Sequence, residues 1–370
     1  MNNPEYVLIV ASSGRMLAQA AHQAGYKPFV IDLYADRDTC LYAQETLLIA
    51  SLALNHILPA LEAFFARIPL THVIYGSGFE DHPESLDYLA NRLTIVGNPP
   101  DVFANILNKK YFFSVLDQLS IPYPHVTFNE PKNTSDTWLT KPLQGHGGVG
   151  INHYRPNDKL PTSVYWQHYV KGTSHSVLFL ADGVNLQIIG FNNQWSVQSE
   201  LDDFIFSGIS NDGNIPDQHK ASVAGWLAKI IPVFALKGLN SLDFICTADS
   251  CYVLEINARP PASMQLYDDA LFVRHIEACQ GQLYESPAIP SDNYKAYQII
   301  YAGHDTQIPM DFAWPSWCMD LPNDGALIHT GQPVCSIIAS HKQSQHMMQQ
   351  LVIKQQIIIN QLDKGIRHGI

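Results

Sequence analysis

The feature that most restricts how this chain can fold is the alternation of short apolar runs with helical patterns over its first hundred residues. Tyr6–Val10 reads as a buried strand, followed by a Ser12-Ser13-Gly14 turn and a helix ending near Gly25. Further strands are expected at 29–33, 46–50, 72–76 and 93–96, with helices over 52–67 and 83–92. Apolar strands joined by helical crossovers fold as a doubly wound parallel sheet with both faces covered. The first strand-to-helix turn carries one glycine instead of GxGxxG, which argues against a dinucleotide site there. Asp32 nevertheless ends the second strand, where a ribose-binding acid would sit.

Beyond residue 104 the pattern changes. One amphipathic helix is expected over 104–119, stopped by the prolines of Ile121-Pro122-Tyr123-Pro124. Strands follow at 125–128, 138–142, 151–154, 164–170, 174–181 and 186–191, then a helix over 217–236, a hairpin, and a helix over 264–279. A strand beginning at Lys295 opens a last β-rich stretch with Pro-rich turns, closed by a Gln-rich helix over 341–362. These changes predict four units: an N-terminal Rossmann-like domain (1–104), an α+β subdomain (105–172), an α+β subdomain holding the hairpin (173–288) and a small β-rich extension (289–370).

The formal charge of −12 and the lack of any Lys/Arg run exclude a phosphate-neutralising nucleic-acid surface. No stretch approaches 18 consecutive apolar residues, so no membrane partner is expected. The start, MNNPEYVLIVASS, lacks the basic and apolar regions of a signal peptide, which predicts a cytoplasmic protein. The six cysteines show no CxxC or zinc-ribbon spacing. Cys246 and Cys251 flank the hairpin turn, but free thiols are expected in a reducing compartment.

Three stretches carry chemistry. In GLNSLDFICTADSCYVLEINARPP (238–261), a hairpin with its turn centred on Asp249 sets Asp243 directly across from Glu255, and Asn257 shares a face with Glu255. Like charges facing each other on a ladder are unfavourable unless they face water or a hard divalent cation lies between them. Arg259 follows immediately. Second, Lys141-Pro-Leu-Gln-Gly145-His-Gly147-Gly148-Val-Gly150 leads into a strand pattern, not a helix. It therefore reads as a loop between two strands whose amides converge on phosphates, with Lys141 adding a point charge. Third, Ser12-Ser13-Gly14-Arg15 and Gly76-Ser77-Gly78-Phe79-Glu80 end strands at the crevice of the parallel sheet, where such domains bind ligands. Ser13, Gly14, Arg15, Gly78 and Glu80 are the substrate-side candidates, with Arg15 placed to pair with a carboxylate and Glu80 to orient an amine.

In this order, the motifs resemble the ATP-grasp superfamily, which includes biotin carboxylase and D-alanine–D-alanine ligase; the likeness covers about residues 1 to 285. Within it, NARPPAS and the SGFE loop are similar to a group described as predicted ATP-dependent carboligases, and tyramine–glutamate ligase is a candidate functional relative. The resemblance implies ATP as the nucleotide and Mg²⁺, with Mn²⁺ as a substitute, held by Asp243, Glu255 and Asn257. It makes Lys109, in NKKYFFSVLDQLSIPYP, and Lys141 nucleotide-binding lysines. The α+β subdomain 105–172 becomes the lid, with Gly145, Gly147, Gly148 and Gly150 the loop over the phosphates, and Gln167, His168, Tyr169 and Val170 the hinge whose backbone reads adenine. Arg259 lies beside the transferring phosphoryl group, making Arg259 and Lys141 the catalytic cations. His168 stands where many members carry an acid, Ser174 where a ribose-binding acid often occurs, and Ser120 where a glycine is usual. The implied reaction is ATP-dependent ligation of a small-molecule carboxylate to an amine through an acyl phosphate. A carboxylase, a small-molecule kinase and a non-catalytic ATP-binding protein of the same fold are the alternatives; assembly as a homo-oligomer is left open.

Overall fold

The computed structural model describes residues 6–132, 137–156, 163–267, 270–284 and 293–367, with side chains of the last helix to 363. Its N-terminal layer is a five-stranded parallel sheet in the order Glu45–Leu48, Lys27–Asp32, Tyr6–Val10, His72–Tyr75, Thr94–Ile95. Val7, Leu8, Ile9 and Val10 are all buried, because helices such as Arg15–Gln23 and Leu54–Phe65 cover the two faces. Each such side chain contributes about 1.5–3 kcal/mol of burial. The strand order reverses beside Tyr6–Val10, so the crevice opens beyond Val10 and Tyr75, where Ser12 and Gly76 begin their loops.

Asp32 is fully buried and accepts hydrogen bonds from the amides of Gly14 (3.0 Å), Ala35 (2.8 Å) and Tyr34 (3.3 Å). It shapes the turn, and its complete burial keeps it from a ribose, which argues against the dinucleotide reading. A short helix at Arg37–Tyr42 was not expected from the sequence. The single helix expected over 104–119 is two, Pro100–Leu107 and Lys109–Gln118. Asn108 interrupts them with ψ 90°, and its side chain accepts from the Tyr111 amide, the usual action of an N-capping Asn.

A four-stranded antiparallel sheet follows, ordered Val126–Thr127, Val164–His168, Trp138–Pro142, Asn152–His153. The third layer is an eight-stranded antiparallel sheet. It runs Cys251–Asn257, Lys237–Cys246, Thr173–Asp182, Leu186–Val197, Ile205–Ser210, Tyr294–Tyr301, Pro333–His341, Cys318–Met319. The strand Ile205–Ser210 was not expected, and it is the joint through which the β-rich extension continues this sheet. The helix expected over 264–279 is a 3₁₀ turn, Ala262–Leu266, and a separate helix, Leu271–Cys279; its residues 268–269 lie outside the described residues.

The free-thiol expectation for Cys246 and Cys251 is corrected: they form a disulfide. The two residues pair directly across the ladder on either side of a four-residue turn, which brings their Cα atoms to 4.1 Å. Among the described residues, no helix is long and apolar enough to cross a membrane.

Candidate active site

The hairpin sets Asp243 opposite Glu255 and Ser241 opposite Asn257, but by a route the spacing did not reveal. At the turn the register is Cys246 with Cys251, one residue off the register of the acids. A bulge at Leu254 absorbs the difference, since Phe244 pairs with Val253 and Asp243 with Glu255. Without that extra residue the ladder would place Leu254 opposite Asp243 and turn Glu255 to the other face.

The acids are met by three cations. Lys109 Nζ lies 3.6 Å from Glu255 Oε2. Lys141 is buried and donates to Gln167 Oε1 at 3.2 Å. Arg259 Nε donates to Glu80 Oε1 at 2.7 Å and its NH2 to Asn257 Oδ1 at 3.3 Å. Burial raises the Glu255 carboxyl, but Lys109, Lys141 and Arg259 outweigh it and hold the group below the usual carboxylate range. Asp243 is pushed the other way, by burial and then by Glu255, against hydrogen bonds from Asn257 (3.1 Å) and Gln194 (3.3 Å). Burial lowers the Lys141 ammonium, opposed by Glu255 and Asp243. A divalent cation between the acids would remove the repulsion that Asp243 feels, and two carboxylates with an amide form a hard oxygen set suited to Mg²⁺ or Mn²⁺. Asn257 turns its oxygen to Arg259, so its coordination of a metal requires a half-turn of the amide.

The glycine loop closes over this end of the molecule. Phe206 donates its amide to the Gly147 carbonyl (2.9 Å), and the Gly150 amide donates to Asp202 Oδ1 (2.7 Å). Gly148 has φ +83°, and a Cβ there would lie 1.9 Å from the Phe204 carbonyl oxygen. In the hinge, the amides of His168 and Tyr169 are spent on the carbonyls of His125 and Thr137, each at 2.8 Å. The Val170 amide donates to no backbone carbonyl among the described residues.

One cavity of about 1840 Å³ joins these parts. Lys141, Gly147, Gly148, the hinge 167–170, Asp243, Glu255, Asn257 and Arg259 line it, and so do Ser13 and Arg15 from the parallel sheet. Lys109, Gly14, Gly78, Glu80, Gly145 and Gly150 do not line it. Two substrate-side expectations are corrected. Arg15 is fully buried and already engaged, donating to Asp320 (2.9 Å), Gln19 (2.9 Å) and Gln265, so it is not free for a substrate carboxylate. Glu80 is also taken: it anchors Arg259 and accepts from the Gly78 amide at 2.7 Å, so it positions the arginine instead of an amine.

The structure adds residues that sequence reasoning missed. Gln194 reaches Asp243 from the neighbouring part of the sheet, His146 in the glycine loop sits 3.4 Å from Asp81, and Tyr297, Tyr301 and Asp320 of the extension line the cavity. No local motif announces them. Their role comes from chain separations such as the 305 residues between Arg15 and Asp320.

Residues 106–263 match the model of the ATP-grasp domain family. That stretch is an ATP-grasp domain. The ATP-grasp architecture extends over nearly the whole chain. The L-amino acid ligase of Bacillus licheniformis superposes with a TM-score of 0.71 at 14% identity, covering 99% of this chain and 98% of that one. The biotin carboxylase domain of Hydrogenobacter thermophilus 2-oxoglutarate carboxylase was solved as a dimer with magnesium ADP and bicarbonate. It gives a TM-score of 0.70 at 14% identity, covering 90% of this chain and 85% of that one. An uncharacterized protein of Methanocaldococcus jannaschii is 22% identical over 259 residues, spanning 66% of this chain and 63% of the relative. The match thus spans a little under two thirds of that relative's length. At such identities the structural likenesses establish the ATP-grasp fold.

Proposed function

We propose that the protein is an ATP-dependent carboxylate–amine ligase. What carries this reading is the single cavity that runs from the acid pair and its cations to the crevice of the parallel sheet. A nucleotide at the hinge and an acceptor at the crevice would share one water-restricted space, with Lys141 and Arg259 between them. Phosphoryl transfer asks a protein mainly for positioned positive charge, which Lys109, Lys141 and Arg259 supply around Glu255. Asp243, Glu255 and Asn257 would hold magnesium, which supplies charge neutralisation to the phosphates when bound. The Val170 amide, which donates to no backbone carbonyl among the described residues, and buried Lys141 suit the adenine edge and the phosphates, and the glycine loop would shield the space from water.

In this reaction a substrate carboxylate oxygen attacks the γ-phosphorus of ATP, ADP leaves, and an amine displaces phosphate from the acyl carbon, losing its proton to solvent. The partners are a small carboxylic acid and a small amine, with a homodimer as one arrangement for the assembled enzyme. Incubation with Mg-ATP and pools of carboxylates and amines tests the proposal. The expected result is amine-dependent release of ADP and phosphate with an amide product. A stable phosphorylated product would identify a kinase instead, and bicarbonate-dependent turnover without amine would identify a carboxylase.

A further inference from the structure

At the crevice end of the cavity, four carboxylates, Asp32, Asp36, Asp38 and Asp320, lie within electrostatic reach of one another, and Arg15 pairs with two of them, Asp320 at 2.9 Å and Asp38 at 3.8 Å. Three of the four are satisfied within the protein. Asp32 accepts three backbone amides. Asp38 accepts the amides of Asp320 and Leu321, each at 2.9 Å. Asp320 takes the Nε of Arg15 at 2.9 Å and the Tyr297 hydroxyl at 3.2 Å. Asp36 differs from all of them. Its side chain is 7% exposed, caps no helix amide, has no hydrogen-bond or ion-pair partner among the described residues, and lies on the cavity wall.

A largely buried carboxylate with no donor from the protein takes a proton, a water or a cation from the space it faces, and a cation relieves the charge of the neighbouring acids as well. With no such cation, burial and then Asp320, Asp32 and Asp38 push Asp36 up to about 8. A metal ion fits poorly. The neighbouring acids are already engaged, Asp32 and Asp38 by backbone amides and Asp320 by Arg15 and Tyr297, so Asp36 has no second free carboxylate beside it to share an ion. An organic cation needs only one carboxylate and an aromatic or apolar wall for its body. Tyr34 lies within electrostatic reach of Asp36 and Tyr301 within reach of Tyr34; both line the cavity, and Tyr301 is fixed by its hydroxyl, which donates to the Phe206 carbonyl at 2.7 Å.

We infer that Asp36 binds the primary ammonium group of a substrate, with Tyr34 and Tyr301 flanking its carbon skeleton. The inference rests on the ligase reading for the substrate's role, and it names the substrate as an organic cation held by one acid. Titration calorimetry on the full chain tests it with phenethylamine and butylamine against the isosteric alcohols, with and without Mg-ADP. Wild-type protein binds the amines at least tenfold more tightly than the alcohols. Asp36→Asn removes that preference while Mg-ADP affinity stays within twofold, and it leaves the melting temperature unchanged or higher, because the Asp36 side chain has no hydrogen-bond partner among the described residues to lose. Equal affinity for amines and alcohols, a preference that survives in both Asp36→Asn and Asp36→Ala, or a lower melting temperature for Asp36→Asn would each overturn it. Failure of Mg-ADP to bind would instead sink the ligase reading, while the amine titration without nucleotide still decides the role of Asp36.

Discussion

At the scale of single residues, the site is a balance of charges between two buried acids and three cations. Glu255 is held below the usual carboxylate range by Lys109, Lys141 and Arg259, while burial and then the charge of Glu255 raise Asp243. Glu255→Gln removes the acid that faces both the lysines and the proposed metal. ATP turnover should fall by about 10²–10³-fold, the usual loss when a charge-stabilising group is removed; phosphate release under saturating Mg-ATP measures it, and unchanged turnover would sink the metal assignment. The Asp243 shift also predicts a pH effect with a definite sign. A carboxyl raised in the folded state binds its proton more tightly there than in the unfolded chain, where its value is about 3.9. Its contribution to stability is therefore lost as pH rises from about 4 toward the raised value. Melting in EDTA should show that loss, and Mg²⁺ should raise the melting temperature more at about pH 8 than at about pH 5. Asp36 contributes with the same sign, but its part should be indifferent to Mg²⁺.

At the scale of elements, the chain was legible wherever one local rule fixed the geometry. The acid pair was reached from a turn centred on Asp249, a register that the turn itself does not have and that the bulge restores at the acids; the glycine loop could be read because four glycines beside a lysine precede a strand pattern. The bulge at Leu254 was not legible, since apolar alternation through Val253 and Leu254 looks the same with or without an extra residue. The break at Asn108 was signalled by a capping residue but masked by continuous helical periodicity on both sides. The glycine loop supports a prediction of its own. At Gly148 a Cβ collides with the Phe204 carbonyl, and its positive φ is strained for any L side chain, a cost of about 1–3 kcal/mol. The strain falls on the docking of the loop against 202–206 and not on the core. Gly148→Ala should therefore raise KM for ATP about tenfold or more while changing the melting temperature little, as steady-state kinetics and a thermal melt on the same sample would record.

At the scale of the whole molecule, the residues least visible in the sequence are those that bind distant segments together. The extension adds three strands to the central sheet through Ile205–Ser210 and Tyr294–Tyr301, and it delivers Asp320 to a guanidinium that begins the first helix. Neither contact follows from periodicity, because each depends on chain ends meeting across the fold. Arg15 has 1% of its surface exposed, so losing Asp320 would leave a buried cation with only Asp38, 3.8 Å away, and neutral partners. Breaking one side of such a pair costs about 3–5 kcal/mol. Asp320→Ala should accordingly lower the denaturant midpoint by a large fraction of the total stability. A chain cut at residue 288, the boundary suggested by composition, should fare worse, because it also bares the hydrogen-bonding edge of Ile205–Ser210. An independent extension would make the opposite prediction: residues 1–288 would melt cooperatively near the full-length temperature and Asp320→Ala would be silent. Solubility and thermal melting of the two proteins beside the full chain separate the cases, and a soluble, fully stable 1–288 would show that the shared sheet does not support the site.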